Sequence, residues 1–327
     1  MPMRLLLILC LTSILTGCQT SKKQAMKTDN PLLCDPKEGL CELPTTKDAH
    51  AETAENIVTE KTKIVYFTDP ICSSCWGIEP QLRKLKLTYG SHIDIEYRMG
   101  GLLPNWSYNS GGISKPADVA EHWDEVSVYY DMPIDGDLWL EDPLHSSYPP
   151  SIAFKAAELQ SKEKALLFLR EIREMVFLKK QNIAKWEHLE TAAIEVGLNP
   201  LQLKADFNGQ AQKLFEEDLK IARAYGVRGF PSMYFVDQSG NHEIVYGARP
   251  FEQYQEALLK INPALEQTAY KKDWAALFSK HQSLTAKEFS VLSETDRIAS
   301  ENMLDKLTSE GKLEKLSTKN GALWQLK

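Results

Sequence analysis

The stretch Lys63–Trp76, KIVYFTDPICSSCW, decides how the rest of the chain folds. Its first half is a run of β-branched and aromatic residues, which predicts a buried strand. Asp69 and Pro70 end that run, and apolar residues at helical spacing follow Cys75. The stretch therefore predicts a strand that leads directly into a helix, with two cysteines three positions apart at the start of that helix.

Cys72 and Cys75 in this position have the geometry of a thiol–disulfide site. A helix N-terminus carries unpaired backbone N–H groups and the positive end of the helix dipole. Both stabilise a thiolate, which is the reactive form of cysteine. We therefore expect Cys72 to form a mixed disulfide with a substrate, and Cys75, one turn further along, to resolve it.

Other uses of a C-x-x-C pair fit this sequence less well. A structural zinc site takes four ligands, but the chain has no second C-x-x-C, and Cys34 and Cys41 have the wrong spacing. Covalent haem attachment needs His after the second cysteine, where this chain has Trp76. A purely structural disulfide across so short a loop is strained and easily reduced. The spacing thus favours a redox dithiol, with no metal and no dissociable cofactor.

A second signal lies far downstream, in Gly226–Ser232, GVRGFPS, before the strand-like run Met233–Val236. Proline has no N–H and fits poorly inside a central strand. At the entry to a strand, Pro231 indicates a special turn, for which a cis peptide bond is one form. Taken alone, Pro231 would be explained as an ordinary loop proline. In a chain that also carries C-x-x-C, the special turn is the favoured explanation.

A strand, C-x-x-C and helix followed much later by Gly-Phe-Pro231-Ser resembles the thioredoxin superfamily. The stretch between Pro104 and Gly229 reads largely as helix, which is similar to the helical insertion of the DsbA branch. Residues Asp69–Pro80, DPICSSCWGIEP, also resemble DsbA-family proteins of the FrnE and ClpXP-adapter type.

The resemblance implies an α/β thioredoxin fold with a helical insertion over about 105–225. It implies a protein-disulfide oxidoreductase or isomerase with Cys72 and Cys75 as catalytic residues. It also implies that Pro231 shapes the substrate groove and keeps metals off the dithiol, while the backbone of Phe230 pairs with a substrate strand. The partners would be protein thiols or disulfides, together with a recycling partner that the sequence does not name.

The chain departs from its relatives at positions that tune the dithiol. The central dipeptide is Ser73-Ser74, and Tyr66 stands where thioredoxin and DsbA carry a buried carboxylate. Asp69 is nearer in sequence but lies at the strand end. Glu79, one turn along the helix from Cys75, is a candidate for the relay, although the sequence favours a solvated helix carboxylate. The proton relay to Cys75 is therefore unassigned.

The N-terminus predicts the compartment. Leu5–Leu15 is apolar, has the length of a signal-peptide core, and falls short of the roughly 20 residues needed to span a bilayer. Leu15–Cys18, LTGC, looks like a bacterial lipobox. We expect loss of residues 1–17, lipidation of Cys18, and a membrane-anchored lipoprotein of the bacterial cell envelope facing the periplasm or exterior. A start at Met26 would instead leave a cytoplasmic form.

Residues 18–62 are polar and predict a flexible tether. Within it, Cys34–Cys41, CDPKEGLC, holds Pro and Gly in a turn-like loop, so a local disulfide is sterically allowed. Such a disulfide could be a structural staple or a redox relay with Cys72 and Cys75. The sequence favours the staple, because it shows no contact between this loop and the dithiol.

The remaining chain divides into a DsbA-like domain over 63–265 and a small α+β module over 266–327. The module predicts three helices and a hairpin that turns at Asn320-Gly321, and it resembles a winged helix. Nucleic acid is not expected as a partner, since the chain has a net charge of −7 and is predicted to be exported.

Two other classes of function stay open. The adapters that deliver substrates to ClpXP share the DsbA-like fold, and in such a protein the dithiol would be regulatory. That role is cytosolic, so a lipid on Cys18 would exclude it. A thiol metallochaperone would hold copper(I) on Cys72 and Cys75, but no Met- or His-rich segment supports it.

Overall fold

The computed structural model describes residues 61–107 and 115–327, together with the backbone of two short strands, β1 (Cys34–Asp35) and β2 (Leu40–Glu42). The predicted signal peptide, Cys18 and most of the predicted tether lie outside these residues. The two short strands pair antiparallel with each other, with Cys34 opposite Cys41. The sequence predicts a flexible tether with a turn-like Cys34/Cys41 loop here, and in the structure the residues at the two ends of that loop pair as the strands of a small hairpin.

Five strands follow in the first domain: β3 (Thr62–Thr68), β4 (Ile93–Met99), β5 (Gly229–Phe230), β6 (Ser232–Val236) and β7 (His242–Tyr246). Four of them form the central sheet in the order β4-β3-β6-β7. β3 is parallel to β4 and antiparallel to β6, which is antiparallel to β7. β3 is central, so both of its faces are covered, which explains its nearly unbroken apolar sequence.

Two helices, α1 (Ser73–Gly77) and α2 (Glu79–Tyr89), follow β3 where the sequence predicts one. The break falls at Ile78, two residues before Pro80. Proline has no N–H to donate within a helix but fits its first turn, so a new helix begins there. The dithiol is therefore carried by a separate short helix, α1, and not by the first turn of α2.

The insertion consists of α3 (Pro116–Tyr130), α4 (Leu138–Glu141), α5 (Tyr148–Gln160), α6 (Lys162–Leu178), α7 (Trp186–Glu195), α8 (Pro200–Phe207) and α9 (Gln210–Ala224). α5 and α6 are separate helices, because Ser161 is extended and its hydroxyl accepts a hydrogen bond from the N–H of Lys164 (3.2 Å) as the N-cap of α6. Trp123 of α3 and Trp139 of α4 are core residues with ring centroids 5.2 Å apart. After β7, α10 (Phe251–Ile261) packs against α2 and the sheet.

The C-terminal residues form α11 (Trp274–Lys280), β8 (Ser283–Thr285), α12 (Ala286–Ser293), α13 (Arg297–Ser309), β9 (Leu313–Thr318) and β10 (Gly321–Leu326). The strands form an antiparallel sheet in the order β8-β10-β9, and β8 is absent from the sequence prediction. Thr285 and Glu288 form the capping box that their spacing predicts.

A buried charge cluster joins this C-terminal part to the first domain. The side chain of Glu288 has no exposed surface and contacts Arg170 of α6 (Nη1, 2.8 Å) and Arg83 of α2 (Nε, 3.2 Å). Burial alone would raise the pKa of Glu288, but the two guanidinium groups outweigh it and lower the pKa to about 2. Glu288 of the C-terminal part therefore links α2 and α6 through ion pairs, and these two helices also carry charged residues of the dithiol site.

Candidate dithiol site

The dithiol lies at the C-terminal end of β3. Cys72 is the N-cap of α1, and its Sγ accepts a hydrogen bond from the backbone N–H of Cys75 (3.1 Å). The two cysteines are not joined by a disulfide and have no solvent-exposed surface. The short turn of α1 thus holds the two sulfur atoms at one helix terminus, within one hydrogen-bonded unit.

The loop that carries Pro231 lies at the same end of the sheet. Phe67, near the end of β3, pairs with Ser232 at the start of β6, so the residues that precede β6 adjoin the residues that follow β3. The Phe230–Pro231 peptide bond is cis. The topology therefore brings together the two motifs that stand about 155 positions apart in the sequence.

Gly100 fixes the position of this loop, and the sequence analysis did not identify it as a site residue. Phe230 is fully buried, and its ring lies where a Cβ atom on residue 100 would stand. Any side chain at Gly100 would overlap the ring, so only glycine lets the loop approach β4 this closely. The signal for this site residue in the sequence is a glycine that directly follows β4.

Arg173 of α6 supplies a buried positive charge beside the dithiol. Its guanidinium donates to Glu79 Oε1 (2.6 Å), Thr68 Oγ1 (2.6 Å) and the carbonyl oxygen of Asp69 (3.3 Å). The prediction that Glu79 is solvated is wrong, since this ion pair leaves only 12% of its side chain exposed. Its partner lies 94 positions away on another helix, beyond the reach of any local pattern.

The two thiols differ in acidity. Burial raises the pKa of Cys72 well above its usual value, and hydrogen bonding with Cys75 and the charge of Asp69 add to the rise. Burial would also raise the pKa of Cys75, but its hydrogen bond with Cys72 and the charge of Arg173 outweigh burial and lower it. Burial at Cys72 therefore opposes the stabilisation of a thiolate that the helix terminus is expected to provide.

Asp69 is the buried carboxyl group nearest in sequence to the dithiol. Its two oxygens accept hydrogen bonds from the backbone N–H groups of Ile71 (3.0 Å) and Leu102 (2.8 Å) and from Ser147 Oγ (2.9 Å). Burial nevertheless raises its pKa from the usual 3.8 to about 6. A carboxyl group that titrates near neutral pH thus lies three residues before Cys72, where the sequence suggested only a strand end.

The insertion packs closely around the Ser73-Ser74 dipeptide and the rest of α1. Ser74 Oγ lies 2.8 Å from the hydroxyl of Tyr130 in α3, and the Tyr130 ring covers Gly77 so closely that a Cβ there would overlap it. Trp76 Nε1 donates to the carbonyl of Pro133 (3.0 Å). The sequence did not identify Tyr130, because its role comes from packing between distant segments.

The N-terminal hairpin reaches this site. β2 pairs antiparallel with β5, with Cys41 opposite Phe230 and Glu42 opposite Gly229, and β2 also lies against α1. The sequence showed no contact between the Cys34/Cys41 loop and the dithiol. The structure joins them through backbone pairing, while the predicted lipidation site Cys18 lies outside the described residues.

Within residues 61–107 and 115–327, no three His, Cys, Asp or Glu side chains come together as a metal site would require. Nor does any helix there combine the length and the apolar character needed to cross a membrane.

The sheet order, the C-x-x-C turn and the cis-proline loop define a thioredoxin fold with a DsbA-like helical insertion. The sequence profile of the family described as "Thioredoxin" matches residues 66–256. Among curated proteins, the chain is 31% identical over 303 residues to ClpXP adapter protein SpxH of Halalkalibacterium halodurans, covering 91% of this chain and 98% of the relative. The chain therefore belongs to the thioredoxin family, in the branch of the SpxH proteins.

Other comparisons agree with the fold. SpxH of Bacillus subtilis is 28% identical over 268 residues, covering 80% of this chain and 88% of that protein. A putative protein disulfide isomerase from Nitrosomonas europaea superimposes with a TM-score of 0.53 at 21% identity, covering 62% of this chain and 96% of its own. The cytosolic disulfide reductase DsbM from Pseudomonas aeruginosa gives 0.50 at 21% identity, covering 61% and 98%.

Proposed function

We propose that this protein is a thiol–disulfide oxidoreductase that acts on protein substrates through Cys72 and Cys75. The observation that carries the proposal is the position of the dithiol at a helix N-cap, at the same sheet end as the Pro231 loop. The backbone of β5 in that loop pairs with β2, and an extended substrate strand would add to the same edge in the place of β2, as peptides add to a sheet edge. A substrate strand paired there would present a sulfur atom to Cys72.

The reaction is a thiol–disulfide exchange in two steps. A substrate thiolate attacks Cys72 Sγ of the Cys72–Cys75 disulfide, a substrate–Cys72 disulfide forms, and Cys75 leaves as the thiolate. The second substrate thiolate then attacks the mixed disulfide and releases Cys72, so two electrons pass from the substrate to the protein. In the reverse sequence the Cys72 thiolate attacks a substrate disulfide and one substrate thiolate leaves; Cys75 then attacks Cys72 Sγ of the mixed disulfide and releases the second substrate thiolate.

Two buried groups assist these steps. Arg173 carries the positive charge that stabilises the Cys75 thiolate, whether as leaving group or as attacking group. Asp69, with a pKa near 6, can hold or release a proton beside Cys72 at neutral pH. The pair thus replaces the buried carboxylate that other thioredoxin-fold proteins carry at the position of Tyr66.

A redox equilibrium tests the proposal. The full chain with Cys10, Cys18, Cys34 and Cys41 changed to serine would be equilibrated in glutathione buffers, and thiols would be counted by alkylation and mass spectrometry. We expect one reversible two-electron transition, where a potential near about −120 mV indicates an oxidant and one near about −270 mV a reductant. Absence of a reversible transition would contradict the proposal, and the Cys72→Ser chain serves as the control that cannot cycle.

A second candidate function is supported by the relatives. Proteins named ClpXP adapter protein SpxH align with 91% of this chain, well beyond the thioredoxin-like residues. In an adapter the same strand-pairing edge would hold a client protein, and the dithiol would switch that binding. Degradation of a client by reconstituted ClpXP, with and without Cys72→Ser/Cys75→Ser, tests this role directly.

The compartment separates the two candidates. We propose the cell envelope, through lipidation of Cys18 after removal of residues 1–17. Incorporation of radiolabelled palmitate that is lost in Cys18→Ala would support an envelope oxidoreductase. An unlabelled chain found in the cytosolic fraction would support the adapter and a start at Met26.

A further inference from the structure

The register of the N-terminal hairpin sets the spacing of Cys34 and Cys41. These residues are directly opposite each other in the antiparallel pair of β1 and β2. Opposed residues in such a pair have Cα atoms about 4.5–5.5 Å apart. A disulfide accepts Cα separations of about 4.4–6.8 Å, so the opposed backbone positions of Cys34 and Cys41 fall within the range that a disulfide spans.

The hairpin also occupies the place that the proposed function assigns to a substrate. β2 pairs with β5, and the residue of β2 opposite Phe230 is Cys41. β2 lies against α1 as well, the helix that Cys72 caps. A strand of this chain, with a cysteine at the register position next to Pro231, therefore stands where an extended protein substrate would add to the sheet edge.

We infer that the paired strands β1 and β2, which carry Cys34 and Cys41, are a built-in redox partner of the dithiol, which exchanges a disulfide with Cys72 and Cys75 within one molecule. The inference rests on the proposed function and names the first substrate of that site. Client proteins would then exchange electrons with the Cys34/Cys41 pair or displace β2 from β5. The fold thus gives the hairpin a chemical role beyond that of a structural staple.

The exchange balances without an outside oxidant. The Cys41 thiolate attacks Cys72 Sγ, the Cys72–Cys75 bond breaks, and Cys75 leaves as a thiolate that takes up a proton. The Cys34 thiolate then attacks Cys41 Sγ of the Cys41–Cys72 disulfide and releases Cys72. Two electrons move from Cys34 and Cys41 to Cys72 and Cys75, and the two protons lost by the first pair equal those gained by the second.

A comparison of two trapped chains tests the inference. One full chain would keep only Cys41 and Cys72, and its matched control would keep only Cys34 and Cys72, with the remaining cysteines changed to serine. Each would be treated with oxidised glutathione, and the cross-linked peptides would be identified by mass spectrometry without reduction.

We expect the Cys41–Cys72 disulfide to form at least about tenfold faster than the Cys34–Cys72 disulfide, at a rate independent of protein concentration. The chain with Cys34 and Cys72 is a matched control, because Cys34 and Cys41 lie on the same tether. On a freely moving tether, the difference in chain length would favour Cys41 by only about 1.4-fold. Similar rates for the two chains, or cross-links only between molecules, would overturn the inference.

Further variants keep the outcomes distinct. Glu42→Pro removes a backbone N–H within β2, the central strand of β1-β2-β5, and should lower the Cys41–Cys72 rate to that of the control. Cys34→Ser/Cys41→Ser retains the dithiol, and its reversible redox transition tests the proposed function alone. A normal transition with no preferential Cys41 trapping would overturn only this inference, whereas absence of the transition would overturn the proposed function.

Discussion

Changing Asp69 to asparagine should alter how stability depends on pH. Burial raises the pKa of Asp69 from 3.8 to about 6 in the folded protein, while the unfolded chain keeps the usual value. Because the folded pKa is the higher one, the native state loses stability as pH rises through this window. A shift of about two units corresponds to about 3 kcal/mol, with most of the change falling between about pH 4 and 7.

Urea unfolding of the two proteins at several pH values would measure this effect. Asparagine cannot ionise. As pH rises, the free energy of unfolding of Asp69→Asn should therefore increase by about 3 kcal/mol relative to that of the natural protein. Asp94→Asn, which changes an exposed carboxylate of β4, is the matched control for the loss of one carboxylate. A constant difference between Asp69→Asn and the natural protein across this range would refute the reasoning.

The same variant has a chemical readout. The negative charge of Asp69 contributes to the raised pKa of Cys72, so its removal should lower that pKa and increase the thiolate fraction at neutral pH. Alkylation of Cys72 by iodoacetamide should therefore be faster in Asp69→Asn. An unchanged alkylation rate would show that the carboxyl group acts on stability alone.

Three further predictions concern the groups around the dithiol. Arg173→Met removes the cation that lowers the pKa of Cys75, so the pH profile of Cys75 alkylation should move to higher pH; an unmoved profile would contradict the assigned role. Gly100→Ala should lower the free energy of unfolding in urea by about 1–3 kcal/mol, because the methyl group overlaps the Phe230 ring, and an unaltered midpoint would count against that packing. Glu288→Gln removes the carboxylate that Arg170 and Arg83 share, while these arginines keep Glu174 (2.6 Å) and Glu79 (3.7 Å), and it should lower the free energy of unfolding by about 1.5–3 kcal/mol. In the natural protein the contribution of Glu288, whose pKa is about 2, should be present above about pH 4.5 and disappear as pH falls through 2, as acid-unfolding curves of the two proteins would reveal.

Local patterns were enough for much of the fold. The β-branched run before Cys72, the strand-like run Met233–Val236 and the Asn320-Gly321 turn each placed a strand or hairpin where the structure has one. These signals depend on periodicity and turn chemistry, which act over a few residues. The family resemblance added the insertion, which no local signal assigns to one domain.

Long-range packing accounts for what the sequence did not predict. Glu79 reads as a solvated helix residue until α6 brings Arg173 to it, and Asp69 reads as a strand end until Ser147 and Leu102 close over it. The acidity of Cys72 likewise depends on burial by distant segments, which opposes the effect expected from the helix terminus. The pairing of β2 with β5 joins residues almost 190 positions apart, and no periodic pattern in the sequence predicts that pairing.

Covalent capture of a substrate on Cys72 tests the central claim most directly. The Cys75→Ser chain, with its other cysteines except Cys72 changed to serine, would be incubated with an unfolded protein that carries disulfides, and the linked peptides would be identified by mass spectrometry. We predict a mixed disulfide on Cys72 that persists in Cys75→Ser and is released rapidly when Cys75 is present. Failure to form that disulfide, in a chain that folds normally, would contradict the assignment of this site as a protein-disulfide oxidoreductase.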